Sequence, residues 1–190
     1  MQAICVHRFG GPEVMQLEDV DAPSPGPGQV LVDVKVVGVG PWDAWVRAGK
    51  SVLDQALQLI PGSDLAGIVS AVGAGVTNFA RGDEVFGVTA PSFTGAYAQR
   101  ALAQASMLAK KPRELSFAEA ASAPVVAVTA LQMLFEHARL KPRQRVLIHG
   151  AGGSVGACAA QFALEAGATV LGTCTTRDYD YVRSLGLHTT

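Results

Sequence analysis

The stretch Arg145-Val146-Leu147-Ile148-His149-Gly150-Ala151-Gly152-Gly153-Ser154-Val155-Gly156 joins an apolar run to a glycine-rich turn and a helix start. That succession can grip the phosphates of a nucleotide, because the first amides of a helix and the positive end of its dipole attract an anion. Ala151, Gly153 and Gly156 fall at the spacing of the dinucleotide fingerprint, with alanine in place of its first glycine. In that pattern Ala151 allows the tight turn, Gly153 lets a pyrophosphate approach the backbone, and Gly156 lets the helix pack closely on the strand. Gly152, Ser154 and Val155 complete the expected cofactor-binding turn, Ser154 adding a hydroxyl at the helix start. The bland alternative is a helix-packing turn that holds no ligand.

The end of the next strand selects the nicotinamide cofactor. An acidic side chain there would bind the ribose diol and repel a 2′-phosphate. The chain has Thr173-Cys174-Thr175-Thr176-Arg177 instead. Hydroxyls such as that of Thr173 can donate to a phosphate and Arg177 can pair with it, so NADPH is expected over NADH. Asp178 lies just beyond, and Arg177 as a solvated loop cation is the competing account.

A second group of chemically capable residues is Trp42, Asp43, Trp45 and Arg47 between Gly38 and Gly49. It reads either as a pocket lining or as packing aromatics with Asp43 capping a short helix and Arg47 as its partner. Tyr97, among the small residues Gly95, Ala96 and Ala98, is expected to be a packed tyrosine with a satisfied hydroxyl rather than a catalytic acid. His149 ends an apolar strand and is expected to be buried and hydrogen-bonded rather than a general base. No acid–base pair emerges, and no catalytic residue is assigned. Cys5, Cys158 and Cys174 are scattered, as are His7, His137, His149 and His188, so neither a metal site nor a disulfide framework is expected.

The elements that must position these residues follow from local patterns. Gln2 to His7 and Met15 to Asp19 suggest strands around a turn at Phe9 to Val14. The proline- and glycine-rich Ala22 to Gly28 is a loop. In Gln29 to Val37, Val30, Val32, Val34 and Val36 alternate with polar Asp33 and Lys35, as in a half-buried antiparallel strand. Further strands are expected at Ile68 to Gly73 and within Arg81 to Val88. Ser116-Phe117-Ala118-Glu119 is a capping box opening a helix that Pro124 interrupts, and a second helix follows with an apolar face of Val128, Leu131, Leu134, Phe135 and Ala138. Ala157 to Ala166 is rich in helix formers, Gly167 closes that helix, and Thr169 to Thr173 is extended again.

A net charge of −1 without a basic cluster leaves no electrostatic footprint for nucleic acid or an anionic membrane. No run is apolar enough to span a bilayer, and Met1 to Arg8 lacks a signal-peptide layout, so a cytoplasmic protein is expected.

With these residues laid out, the chain resembles the medium-chain dehydrogenase/reductase superfamily, in its zinc-free quinone oxidoreductase branch related to zeta-crystallin. The resemblance runs through Gly38-Val39-Gly40-Pro41-Trp42-Asp43, Pro61-Gly62-Ser63-Asp64-Leu65-Ala66-Gly67, Gly95-Ala96-Tyr97-Ala98, the fingerprint turn and Tyr181-Val182-Arg183-Ser184-Leu185-Gly186. It implies an α/β chain: a GroES-like, mainly β domain over 1–117, then the first part of a Rossmann doubly wound parallel-sheet domain over 118–190. It further implies NADPH in the cleft between them and a quinone or activated enone as hydride acceptor. Relatives that oxidise alcohols hold zinc through a cysteine and a histidine; Pro41-Trp42-Asp43 and Gly62-Ser63-Asp64 stand in those regions, so no catalytic zinc is implied.

By the same resemblance Trp45 falls where relatives carry a tyrosine beside the nicotinamide, and Ser63 falls at a small hydroxyl position of that cleft. Thr129 falls near the cofactor on the linking helix. Gly40 replaces the usual asparagine and so removes a polar contact to substrate. The expected activity is NADPH-dependent reduction of a quinone or enone, as a possible homodimer. A non-catalytic NADPH-binding or structural, crystallin-like protein is the alternative. Only two Rossmann strands precede Thr190 where the fold needs about six. The chain is therefore expected to be truncated, with an exposed apolar sheet edge.

Overall fold

The computed structural model describes residues 1–189, and the chain divides into two compact units, Met1–Pro124 and a second from Val125 onward.

In the first unit, β1 (Gln2–Val6) and β2 (Met15–Asp19) form an antiparallel pair with Ile4 opposite Leu17. Five more strands, β3 (Gln29–Val37), β4 (Asp64–Val72), β5 (Glu84–Val88), β6 (Arg100–Gln104) and β7 (Leu108–Lys110), make an antiparallel sheet of order β6-β3-β4-β5-β7. The alternation expected for β3 holds only in part, since Val30, Leu31 and Val32 are all buried. The reason is position: β3 lies between β4 and β6, and its pairing with β4 shifts register at Leu31/Val32 and Val34/Val36. Val30, Val32, Leu65, Val69 and Val85 form the heart of this unit's core. β4 begins at Asp64, four residues before the expected Ile68, so the Pro61–Gly67 segment runs directly into the sheet.

Between β3 and β4, α1 (Pro41–Arg47) starts on a proline, whose missing amide hydrogen costs nothing at a first helical position. α2 (Phe117–Ser122) opens on the expected capping box: Ser116 Oγ accepts from the Glu119 amide at 3.2 Å and Glu119 Oε2 accepts from the Ser116 amide at 2.8 Å. Its Ala120 and Ala121 pack against Ala66 of β4. The capping-box helix is thereby part of the β unit, and the division falls at Pro124.

Pro124 does more than interrupt: it opens α3 (Pro124–Leu131), which runs on as a π-helix over Gln132–His137. The expected apolar face is realised at Leu134, but Val128 and Leu131 remain exposed. Because α3 is apolar all round, only the side bearing Ala130 can turn to the core. The rest of the unit is β8 (Arg145–His149), α4 (Ser154–Glu165), β9 (Thr169–Thr173), α5 (Tyr179–Ser184) and β10 (His188–Thr189), with a parallel sheet of order β10-β9-β8. Ala159, Ala160 and Ala163 of α4 pack with Ile148, Val170 and Val182. β8 is not the buried strand expected. Ile148 is buried among the alanines of α4, while Leu147, on the opposite face of the strand, is 52% exposed.

Candidate cofactor and acceptor sites

The glycine-rich turn is built from β8 and α4 of the second unit. Gly150 adopts φ +72°, so the left-handed residue is Gly150, and Ala151, to which the sequence assigned the tight turn, is instead wholly buried beneath it. The Ala151 amide donates to the Thr173 carbonyl at 2.9 Å, locking the turn to the end of β9. A Cβ on Gly156 would stand 2.2 Å from the Gly150 oxygen and 2.9 Å from Ala151 Cα, so α4 sits on the turn at a distance only glycine permits. Gly153, the N-cap, would meet nothing closer than 3.4 Å and is exposed toward solvent. It makes no side-chain cap, which leaves the first amides of α4, at Ser154, Val155 and Gly156, for an anion. Both fit a diphosphate: the backbone is accessible where the ligand would approach and closed where the helix must rest.

Around this turn, Thr173 Oγ1 accepts from the Gly150 amide at 3.4 Å and shares a hydrogen bond of 3.2 Å with His149 Nδ1. His149 is hydrogen-bonded as expected but exposed, since it lies at the open end of an edge strand. Arg177 is 88% exposed at its side chain, with Nε 3.4 Å from Asp178 Oδ1. The Asp178 carboxyl is held below its ordinary range chiefly by the Thr175 hydroxyl, which donates to it at 2.7 Å, and further by Arg177. Asp178 also lies against Gly152, where an added Cβ would come within 2.6 Å of Asp178 Cβ. Thr129 spends its hydroxyl within α3, donating to the Val125 carbonyl at 2.7 Å.

The first unit gathers a second group. Asp43 is buried at 5% exposure, and its Oδ2 accepts from the Gly40 amide at 2.8 Å and from the Tyr97 hydroxyl at 3.1 Å. It caps α1 as expected, but Arg47 is not its partner: Arg47 Nε donates to the Gly10 carbonyl at 3.3 Å, which ties α1 to the turn after β1. Burial pushes the Asp43 carboxyl up from its ordinary value, against the lowering effect of the Gly40 amide and the Tyr97 hydroxyl. Burial and the neighbouring Asp43 charge both push the Tyr97 hydroxyl up, so it stays protonated and donating. Trp42 Nε1 donates to Ser63 Oγ at 3.1 Å, and Ser63 donates to Asp64 Oδ2 at 3.0 Å.

Of the predicted substrate residues, Gly40 and Ser63 are thus brought together through Trp42. Trp45, 56% exposed, presents its indole outward instead. The Gly40 side-chain space is filled, because a Cβ there would lie 2.2 Å from the Trp42 ring. Ser63 is fully buried and committed on both sides. The Asp43–Tyr97 and Trp42–Ser63 bonds are what the sequence did not reveal. Among the described residues, no three His, Cys, Asp or Glu side chains gather as a metal site would require, and no helix is long and apolar enough to cross a membrane.

A mainly β unit carrying a capped loop cluster, followed by a βαβ unit with a phosphate-type turn, defines a class. The alcohol dehydrogenase GroES-like domain family matches residues 26–113. A quinone oxidoreductase of Sus scrofa is 43% identical over 179 residues, covering 94% of this chain and 54% of the relative. Among solved structures, an alcohol dehydrogenase superfamily protein from Novosphingobium aromaticivorans is 42% identical with a TM-score of 0.94, covering 100% of this chain and 58% of that one. The Escherichia coli quinone oxidoreductase complexed with NADPH is 31% identical with a TM-score of 0.87, covering 98% and 57%. The chain belongs to the medium-chain dehydrogenase/reductase superfamily. Within it, the similarity lies with the quinone oxidoreductases, of whose curated length the chain spans about half.

Proposed function

We propose that this chain serves an NADPH-dependent oxidoreductase that reduces a quinone or activated enone without a metal. The observation that carries the reading is the turn from Gly150 to Gly156, open at Gly153 and closed against α4 at Gly156. The NADPH complex of the Escherichia coli relative supports the same cofactor. In this reading the turn at Gly152 and Gly153 admits the diphosphate and the amides of Ser154, Val155 and Gly156 hold it. Thr173 and Arg177 face the 2′-phosphate, and Thr129 flanks the cofactor from α3. Gly40, Trp45 and Ser63 belong to the acceptor side.

When bound, NADPH supplies a hydride to the acceptor, and the protein's contribution is to bind, orient and shield. Trp45 offers an exposed flat apolar surface suited to a quinone ring. The Trp42–Ser63–Asp64 and Gly40–Asp43–Tyr97 bonds fix the loops on which that side stands. Tyr97 is committed to Asp43 and is a poor acid, so the proton that completes reduction comes from water. The donor set at this place is indole, hydroxyl and the carboxylates of Asp43 and Asp64, without thiolate or imidazole, which is unsuited to a catalytic zinc.

The test is loss of NADPH absorbance on adding a small quinone. Turnover supports the enzyme; tight NADPH binding with no oxidation across a quinone panel overturns it in favour of a non-catalytic binding protein. Arg177→Ala is expected to weaken NADPH much more than NADH, and equal losses would remove Arg177 from the 2′-phosphate.

A further inference from the structure

We propose that Asp178 is a specificity-determining residue of the nucleotide site: it lies beside Gly152 and holds Thr175 and Arg177, the side chains that a 2′-phosphate would otherwise recruit. This rests on the nucleotide reading above. Three contacts place the carboxylate there. Thr175 Oγ1 donates to Oδ2 at 2.7 Å, Arg177 Nε lies 3.4 Å from Oδ1, and Asp178 Cβ leaves no room for a side chain on Gly152. The Thr175 hydroxyl keeps the carboxyl below its ordinary range, so it is charged throughout neutral pH.

An anion is thereby built in next to the turn that would bind another anion. A 2′-phosphate must share Arg177 with Asp178 and lie close to a like charge, and both oppose it. A ribose with a free 2′-hydroxyl meets no such opposition and can donate to the carboxylate, as to the acidic residue that marks NAD-binding strands. Arg177 is loosely held, with its side chain 88% exposed and its contact long, so it can turn to a phosphate in the wild type and does so more readily once the carboxylate is neutralised. The consequence is a site that Arg177 biases toward NADPH and Asp178 biases back, giving a shallow preference.

The experiment is calorimetric titration of the intact chain with 2′,5′-ADP and 5′-AMP, at low ionic strength where surface charge effects are largest. Asp178→Asn, which keeps an acceptor for Thr175 and removes the charge, is expected to tighten 2′,5′-ADP roughly tenfold and 5′-AMP by less than about threefold. Asp178→Ser is expected to shift the ratio in the same direction, so the outcome does not hang on one substitution. Arg177→Gln should then cost more 2′,5′-ADP affinity in the Asp178→Asn background than in the wild type. An unchanged ratio of the two affinities in both variants, or parallel weakening of both probes, overturns the assignment while leaving the nucleotide site standing. Failure of the wild type to bind either probe overturns the nucleotide reading, and this inference with it.

Discussion

Two glycines three residues apart in the same turn are expected to fail in opposite ways when each gains a methyl group. At Gly156 the added carbon would stand 2.2 Å from a backbone oxygen and 2.9 Å from a Cα, neither of which can rotate aside. Overpacking of that kind costs about 1–3 kcal/mol, set against roughly 1 kcal/mol of helix propensity that alanine gains over glycine. Because both neighbours are backbone the clash falls at the upper end of that range, so the net is a loss of about 2 kcal/mol, or a fall in melting temperature of about 4–8 °C for a chain of this size. At Gly153 the nearest atom would be 3.4 Å away and the backbone, at φ −80° and ψ 161°, suits alanine. Stability should therefore fall by less than about 1 kcal/mol, the difference between glycine and alanine at an N-cap. The methyl there stands where a diphosphate must approach, so NADPH affinity should fall at least about tenfold. Thermal melts and NADPH titrations of Gly156→Ala and Gly153→Ala, side by side, test this. A Gly156→Ala protein melting with the wild type, or a Gly153→Ala protein binding NADPH undiminished, would refute the division of labour between them.

Other outcomes follow from the first unit. Asp43 has a raised carboxyl pKa in the folded chain, so the folded state binds its proton more tightly than the unfolded state. Its contribution to stability is then full below the unfolded value and declines as pH rises through the folded one. Asp43→Asn lacks that decline, and its melting temperature relative to wild type should climb from about pH 4 into the mildly acidic range; a constant gap would show the carboxyl is not raised. Trp42→Phe removes the donor to Ser63 and should destabilise by about 1 kcal/mol in denaturant melts. Trp45→Ala, at an exposed position, should shift stability by less than about 0.5 kcal/mol. It should also raise the quinone KM; an unchanged KM would remove Trp45 from the acceptor site.

Local patterns carried most of the fold. The capping box at Ser116 and the glycine turn after β8 each encode their geometry within a few residues, and the valines of β3 do so in part. β6 and β7 escaped because Ala101, Ala103 and Ala109 carry too little apolar contrast to mark a face, and they are strands only because the sheet pairs them. The candidate sites were legible where the chain is continuous, as from Gly150 to Gly156. They were not where partners are distant: Tyr97 lies 54 residues from Asp43 and Ser63 lies 21 from Trp42, and nothing local specifies either bond. Arg47 shows the same limit, since helical spacing offered Asp43 as its partner while tertiary packing supplied the Gly10 carbonyl.

The indole resting in the side-chain space of Gly40 makes positions 40 and 42 a single evolutionary choice. A side chain at 40 must displace the Trp42 ring, and the ring in swinging aside gives up its bond to Ser63. Libraries that vary the two positions together reach combinations that a change at 40 alone reaches only with the Trp42–Ser63 bond broken.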